Sequence, residues 1–198
     1  MRRDPNNQGL KVYFDRVEGD VFAGPQVHGI KTAVVYAYDS RTFNEWSEKL
    51  GQEVGPGNFG ENLTLSALDE SQVFVGDEWT VGTARLRSTS SRYPCNRLNF
   101  AFGRADAQQL FKAFRRPGVY FEVVQEGFVR PGDLLTLVKK GARRWSILQF
   151  YDFMTALRSG APDAKSQEAF SALAEDADVP EIYRAQFRKV ASSQSITS

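Results

Sequence analysis

The chain has one cysteine, Cys95, and one histidine, His28, among 198 residues. A single thiol cannot close an internal disulfide, which fits a reducing, cytoplasmic setting. One Cys and one His also exclude the common zinc sets, which draw three or four ligands from these residue types unless carboxylates substitute. An excess of one charge is missing too. The 25 Lys and Arg against 24 Asp and Glu leave a net charge of +1, which argues against a broad grip on a nucleic-acid polymer. No apolar run approaches the roughly 20 residues of a membrane span. Met1-Arg2-Arg3-Asp4 is not followed by an apolar segment of the kind that marks a signal peptide, so neither membrane nor secretion is expected. There is no internal repeat.

What is present is an ordinary globular composition, 41% hydrophobic and 25% charged, with enough length for a real core. The first two thirds read mainly as strand and loop. Leu10–Phe14, Ala33–Tyr38, Asn62–Leu65, Val73–Val75, Glu78–Val81, Ala84–Thr89, Val119–Val124 and Leu134–Val138 have strand composition. Gly76-Asp77, Gly82-Thr83, Gln125-Glu126-Gly127 and Pro131-Gly132-Asp133 separate them as turns. Phe43, Trp46 and Leu50 fall at helical spacing, and a second helix capped by Asp106 presents Leu110, Phe111 and Phe114. Many short strands at close spacing predict a barrel or sandwich. The composition changes near Lys139–Arg144, and three short helices are expected beyond it, the last beginning near Pro180. The division is therefore a mainly β (α+β) domain over 1–140 and a three-helix segment with a polar tail over 141–198.

Gly55-Pro56-Gly57-Asn58-Phe59-Gly60 matches G-x-G-x-x-G by letter, but no strand precedes it and no helix follows, which rejects a dinucleotide fold. Its amides could still cradle an anion, or the segment is a long surface turn. Cys95 sits in Arg92-Tyr93-Pro94-Cys95-Asn96-Arg97. Lone cysteines are more often small buried hydrophobes, yet a thiolate suits a soft metal or a nucleophilic role, and nearby cations favour it. Arg92 and Arg97 match phosphate geometry or are simply solvated. His28 is either a structural histidine or a partner for Cys95 in a nucleophilic dyad.

Taken together, Asn58-Phe59-Gly60-Glu61-Asn62-Leu63-Thr64, Gly76-Asp77, Arg92-Tyr93-Pro94-Cys95-Asn96-Arg97-Leu98, Pro117-Gly118-Val119-Tyr120 and the Gly127–Asp133 segment resemble the MOSC domain, in its YiiM-like branch. Gly19-Asp20 and Val27-His28-Gly29 stand where that family has G-D and H-G-G. The resemblance implies a MOSC-type β-barrel with a small C-terminal three-helix module, and binding of molybdenum cofactor (molybdopterin). It implies that Cys95 ligates molybdenum, that His28 lies near the pocket, and that Gly29, Phe59, Gly60, Glu61, Asn62, Arg92, Pro94 and Arg97 line the cofactor. The family's G-P-D-K is here Ile30-Lys31-Thr32-Ala33. Its aspartate is absent, and its lysine is either displaced to Lys31, which then joins the cofactor-binding set, or lost.

The resemblance further implies an oxidoreductase acting on N-hydroxylated compounds such as hydroxylaminopurine base analogues. No flavin or nicotinamide motif is present, so electrons must come from a separate reductase or a chemical donor. Two other classes stay open: a carrier of molybdenum cofactor or of sulfur on Cys95, and a cysteine hydrolase using Cys95 and His28. The apolar face of the C-terminal helices would serve either a partner or a homodimer.

Overall fold

The computed structural model describes residues 8–20, 31–160 and 162–194. The aromatic and β-branched run Val35-Tyr36-Ala37-Tyr38 forms the heart of β2 (Val35–Asp39), buried along its whole length. It pairs in parallel with β3 (Leu63–Leu65) and antiparallel with β6 (Val119–Gln125). β6 pairs with β5 (Ala84–Ser91), β5 with β4 (Glu78–Val81), and β4 with β8 (Thr136–Lys139). The order β3-β2-β6-β5-β4-β8 leaves β3 and β8 at the edges. Register shifts at Arg85/Leu86, Ser88/Ser90 and Glu78/Trp79 are the irregularities that bend and twist a sheet. The result is a curled six-stranded sheet, a half-barrel, with helices attached: an α+β fold as expected.

A second, two-stranded sheet joins β1 (Leu10–Val12) to β7 (Gly127–Val129). Here the sequence reading needs correction. Gln125-Glu126-Gly127 is not a turn: β6 runs through Gln125, and after Glu126 the chain re-enters extended structure with a new partner. Gly127 permits the switch, because a Cβ there would lie 2.4 Å from the backbone nitrogen of Ala84. Val73–Val75 is likewise no strand. It makes one isolated bridge, Phe74 to Ser146, at the start of a helix.

Two cores flank the sheet. The larger gathers Val35, Leu86, Phe121 and their neighbours with the C-terminal helices α4 (Ile147–Ser159), α5 (Ala164–Glu175) and α6 (Glu181–Gln194). Ser146 and Gln149 close a capping box on α4, and Asp163 caps α5. The smaller core is aromatic. It packs Tyr36 and Tyr38 of β2 against α1 (Phe43–Leu50), Phe59, α2 (Arg97–Phe102) and α3 (Ala107–Phe114). Asp106 precedes α3 but does not cap it with its side chain; its carboxylate is held instead by Arg104 at 2.7 and 2.9 Å. Among the described residues no helix is long and apolar enough to cross a membrane.

Candidate functional site

The glycine-rich segment runs from α1 into β3, the reverse of the strand-to-helix order a dinucleotide loop requires. Its amides do cradle an anion, and that anion belongs to the chain. The buried carboxylate of Glu61 accepts from the Gly57 amide at 2.7 Å, the Phe59 amide at 3.2 Å and the Thr64 hydroxyl at 3.1 Å. The Gly55 amide donates to Asn58 Oδ1 at 2.9 Å, the Asn58 amide to Gly55 O, and the Gly60 amide to Gly57 O at 3.0 Å. Pro56 has no N–H, so every amide from 55 to 60 is committed within the loop. Asn62 extends the order into the sheet. Its amide donates to Tyr36 O at 2.7 Å and its Oδ1 accepts from Tyr36 N at 2.8 Å.

Phe59 points down from this loop into the aromatic core, with ring centroids 4.4 Å from Tyr38, 5.2 Å from Trp46 and 5.3 Å from Phe102. Below it, the Trp46 indole N–H donates to the Tyr38 hydroxyl at 2.7 Å. The Phe59 carbonyl oxygen points the other way and accepts from Arg92 Nη1. The Arg92 guanidinium lies over the rings of Tyr36 at 5.3 Å and Phe111 at 5.9 Å. Burial works against this cation, but facing Tyr36, Tyr120 and Cys95 outweigh it and hold Arg92 above its usual pKa. Burial pushes the Tyr36 phenol well above its ordinary range, with Arg92 pulling it partly back. The Tyr36 hydroxyl donates to Pro117 O at 2.8 Å.

Beyond Arg92 the chain leaves β5 in a short loop pinned from several sides. Pro94 is buried, and its carbonyl oxygen accepts from Gln108 Nε2 at 3.0 Å. The Tyr93 ring is contacted by Arg158 of α4, at 4.1 Å, and by Lys112 of α3, at 5.3 Å. Ser90 meets the Tyr183 hydroxyl of α6 at 3.1 Å. Cys95 itself is exposed, on the step into α2, and its carbonyl accepts the Leu98 amide at 3.0 Å. The thiol is thus solvent-facing while the backbone that carries it is fixed.

The structure brings Phe59, Gly60, Arg92, Pro94 and Cys95 into one connected neighbourhood, with half-buried Arg97 opening α2. Lys31 belongs to a different surface. It is exposed and lines a groove of about 320 Å³ with Phe14, Arg87, Glu122, Val123 and Val124. Arg87 in that groove is already paired, with Glu78 at 3.0 Å and Glu122 at 2.8 Å. His28 and Gly29 lie outside the described residues. The spacing of motifs did not reveal Tyr36 and Phe111 beneath Arg92, or Gln108 and Tyr93 around Pro94. Only the alternation Tyr36-Ala37-Tyr38, which sets two tyrosines on one strand, hinted at the platform.

As a metal site this is sparse. Among the described residues no group of three or more His, Cys, Asp or Glu could hold an ion. A lone accessible thiol does not retain a bare cation, but it can complete the shell of a metal that arrives with its own chelating ligands.

The MOSC domain family model matches residues 24–136. YflK of Bacillus subtilis (strain 168) is 32% identical over 189 residues, covering 96% of this chain and 82% of that protein. YiiM of Escherichia coli (strain K12) is 31% identical over 128 residues, 63% of this chain but only 57% of its own length. Its crystal structure superposes with a TM-score of 0.78 over 96% of this chain and 88% of that one, at 22% identity, which speaks to fold alone. The YiiM crystal structure from Geobacillus stearothermophilus gives a TM-score of 0.72 at 31% identity, covering 82% of this chain and 80% of that one. With the half-barrel, the motif loops and these matches in agreement, the chain belongs to the MOSC domain family, a family associated in general with molybdenum cofactor binding.

Proposed function

We propose that this protein is a molybdenum cofactor-dependent oxidoreductase that reduces N-hydroxylated compounds, hydroxylaminopurine base analogues among them. The observation that carries the reading is the single exposed thiol on a rigidly held loop, with no other ligand set of His, Cys, Asp or Glu among the described residues. The Cys95 thiolate would hold the cofactor's molybdenum, a soft ligand for a soft metal. The bound cofactor supplies the two-electron redox couple.

The chain's own residues bind and orient. Arg92 stays charged beside Cys95, and with Arg97 it offers planar donors suited to the pterin phosphate. Lys31, on a different surface, is not part of this set. Glu61 and Asn62 shape the loop rather than reaching outward, so their contribution is the position of the Phe59 carbonyl and hence of Arg92. In the overall reaction the N–OH group takes up two electrons and two protons, the N–O bond breaks, and the oxygen leaves as water. The electrons would come from a separate electron-donating reductase or a chemical reductant.

The test is to purify wild type and Cys95→Ser from cells that make the cofactor. Molybdenum and pterin per chain are measured, then hydroxylamine reduction with a dye reductant. The reading expects metal and turnover in the wild type and neither in the variant; equal activity in both would sink it. The exposure of Cys95 favours a second reading, a carrier that hands cofactor or sulfur to another enzyme. It expects stoichiometric binding without turnover.

A further inference from the structure

Ser88-Thr89-Ser90-Ser91 closes β5 with four hydroxyl side chains in a row, all buried, just ahead of the cysteine loop. Buried hydroxyls need partners, and the backbone here explains where they go. Ser88 faces Phe121 of β6 and Ser90 faces Tyr120, so Thr89 is an extra residue and the ladder slips. A bulge of this kind re-aims the strand beyond it and leaves its end held by fewer backbone bonds. Side chains take over. Ser88 Oγ donates to Phe74 O and to Asp77 O at 3.1 Å. Thr89 Oγ1 donates to Thr32 O and to Tyr120 O at 3.0 Å. Ser90 Oγ meets the Tyr183 hydroxyl at 3.1 Å.

The first two hydroxyls tie the bulge to the β domain. The third ties it to the C-terminal helices. Tyr183 lies in the first turn of α6, and its ring packs edge-on against Phe150 of α4 with centroids 5.3 Å apart. Burial holds its phenol above the ordinary pKa, so at neutral pH it keeps its proton for the bond. The same helices reach the loop again further on. Arg158 of α4 lies over the Tyr93 ring. Asp152 of α4 binds Arg115 at the end of α3, at 2.6 and 3.1 Å, and α3 carries the Gln108 side chain that donates to Pro94 O.

We propose that Tyr183 is a positioning residue for Cys95: α6 anchors the root of the cysteine loop through the Ser90 hydroxyl, which makes the C-terminal helices part of the site rather than an appendage to it. The proposal rests on Cys95 being the working group of the site, and not on which chemistry it performs. A metal ligand, a carrier thiol and a nucleophile all need their sulfur held in one place by supports beyond the groups that touch the ligand. Arg92 and Gln108 brace the loop after the bulge. Tyr183 acts at the bulge itself, where a small swivel of the strand end is carried forward to Cys95.

The experiment compares wild type, Tyr183→Phe, Ser90→Ala and the double variant by amide hydrogen exchange, and by the spectrum of a nitroxide attached to Cys95, the single cysteine. Tyr183→Phe removes one oxygen and leaves the ring against Phe150. Exchange over residues 92–96 should speed up about fivefold to tenfold, the scale of one hydrogen bond lost from a local opening, while β2 and α5 stay as in wild type. The nitroxide spectrum should sharpen in the same variants. The double variant should exchange no faster than either single one, because all three lack the same bond. Exchange over 92–96 and a label spectrum equal to wild type in Tyr183→Phe would overturn the proposal. So would faster exchange spread evenly over α5, α6 and the larger core, the mark of lost packing rather than lost positioning. If Tyr183→Phe does not fold, Ser90→Ala decides by the same two readings. Neither reading needs cofactor, so a protein that binds no molybdenum would remove the reductase reading and leave this test in force.

Discussion

Arg92 donates to the carbonyl oxygen of Phe59, and so fastens the end of β5 to a loop 33 residues earlier in the chain. The two motif segments that carry the family resemblance are thereby one object. The loop sets the carbonyl, the carbonyl sets the guanidinium, and the guanidinium sits beside the stretch that presents Cys95. Arg92→Met keeps most of the apolar stem but removes the donor. It should cost about 1.5–3 kcal/mol, the scale of a hydrogen bond to a charged group. Urea unfolding would show it, and pterin content should fall with it. A variant as stable and as loaded as wild type would mean that the contact does not organise the site.

Glu61 is the internal anion of the glycine-rich loop. Glu61→Gln keeps one acceptor oxygen and should be mild. Glu61→Ala strands the Gly57 and Phe59 amides, and each unsatisfied buried donor costs about 1–3 kcal/mol. The ordering wild type, Gln, Ala in thermal midpoint is the expected outcome. Equal midpoints for Gln and Ala would contradict it.

Gly127 lies where the chain leaves one sheet for the other, against the backbone of Thr83 and Ala84. The obstruction is backbone, not a flexible side-chain end, so Gly127→Ala forces the two segments apart. The expected loss is about 1–3 kcal/mol, the range for overpacking. Retained stability in a denaturant titration would show that this crossing relaxes freely.

Glu70 is buried, accepting from the Gly118 amide at 3.0 Å and from Arg116 at 3.2 Å. Burial raises its pKa above the ordinary 4.5 despite these partners. A carboxyl raised in the folded state binds its proton more tightly folded than unfolded. Its contribution is therefore fully present below its ordinary pKa and is lost as pH rises through the folded value. The stability of wild type relative to Glu70→Gln should increase as pH falls from neutrality toward 4.5. A difference flat across that window would refute the assignment.

Much of this was written in local sequence. Phe43, Trp46 and Leu50 fall on one helical face and are the buried residues of α1. The tyrosine-rich β2 is buried as its composition demands. The helix α2 was not legible. Arg97–Phe102 places Leu98, Phe100 and Phe102 at every second position, which is strand periodicity. Its helical form comes instead from the Leu98 amide turning back to Cys95 and from Gly103, left-handed at φ 61°, ending the helix after six residues. The curl of the sheet was also hidden, since strand composition does not state which strands pair or where the register slips. The glycine loop shows a third kind of gap. Its letters permit anion binding, but whether the anion comes from outside or from Glu61 is settled only in three dimensions.

The tryptophans divide between the two cores. Trp46 lies fully buried in the aromatic core, hydrogen-bonded to Tyr38 and stacked near Phe111, while Trp79 and Trp145 pack against the larger core. The molecule thus carries separate optical reporters for its two sides. A loosening confined to the floor of the cysteine loop would redden the emission of one indole and leave the other two silent, whereas global melting would move all three.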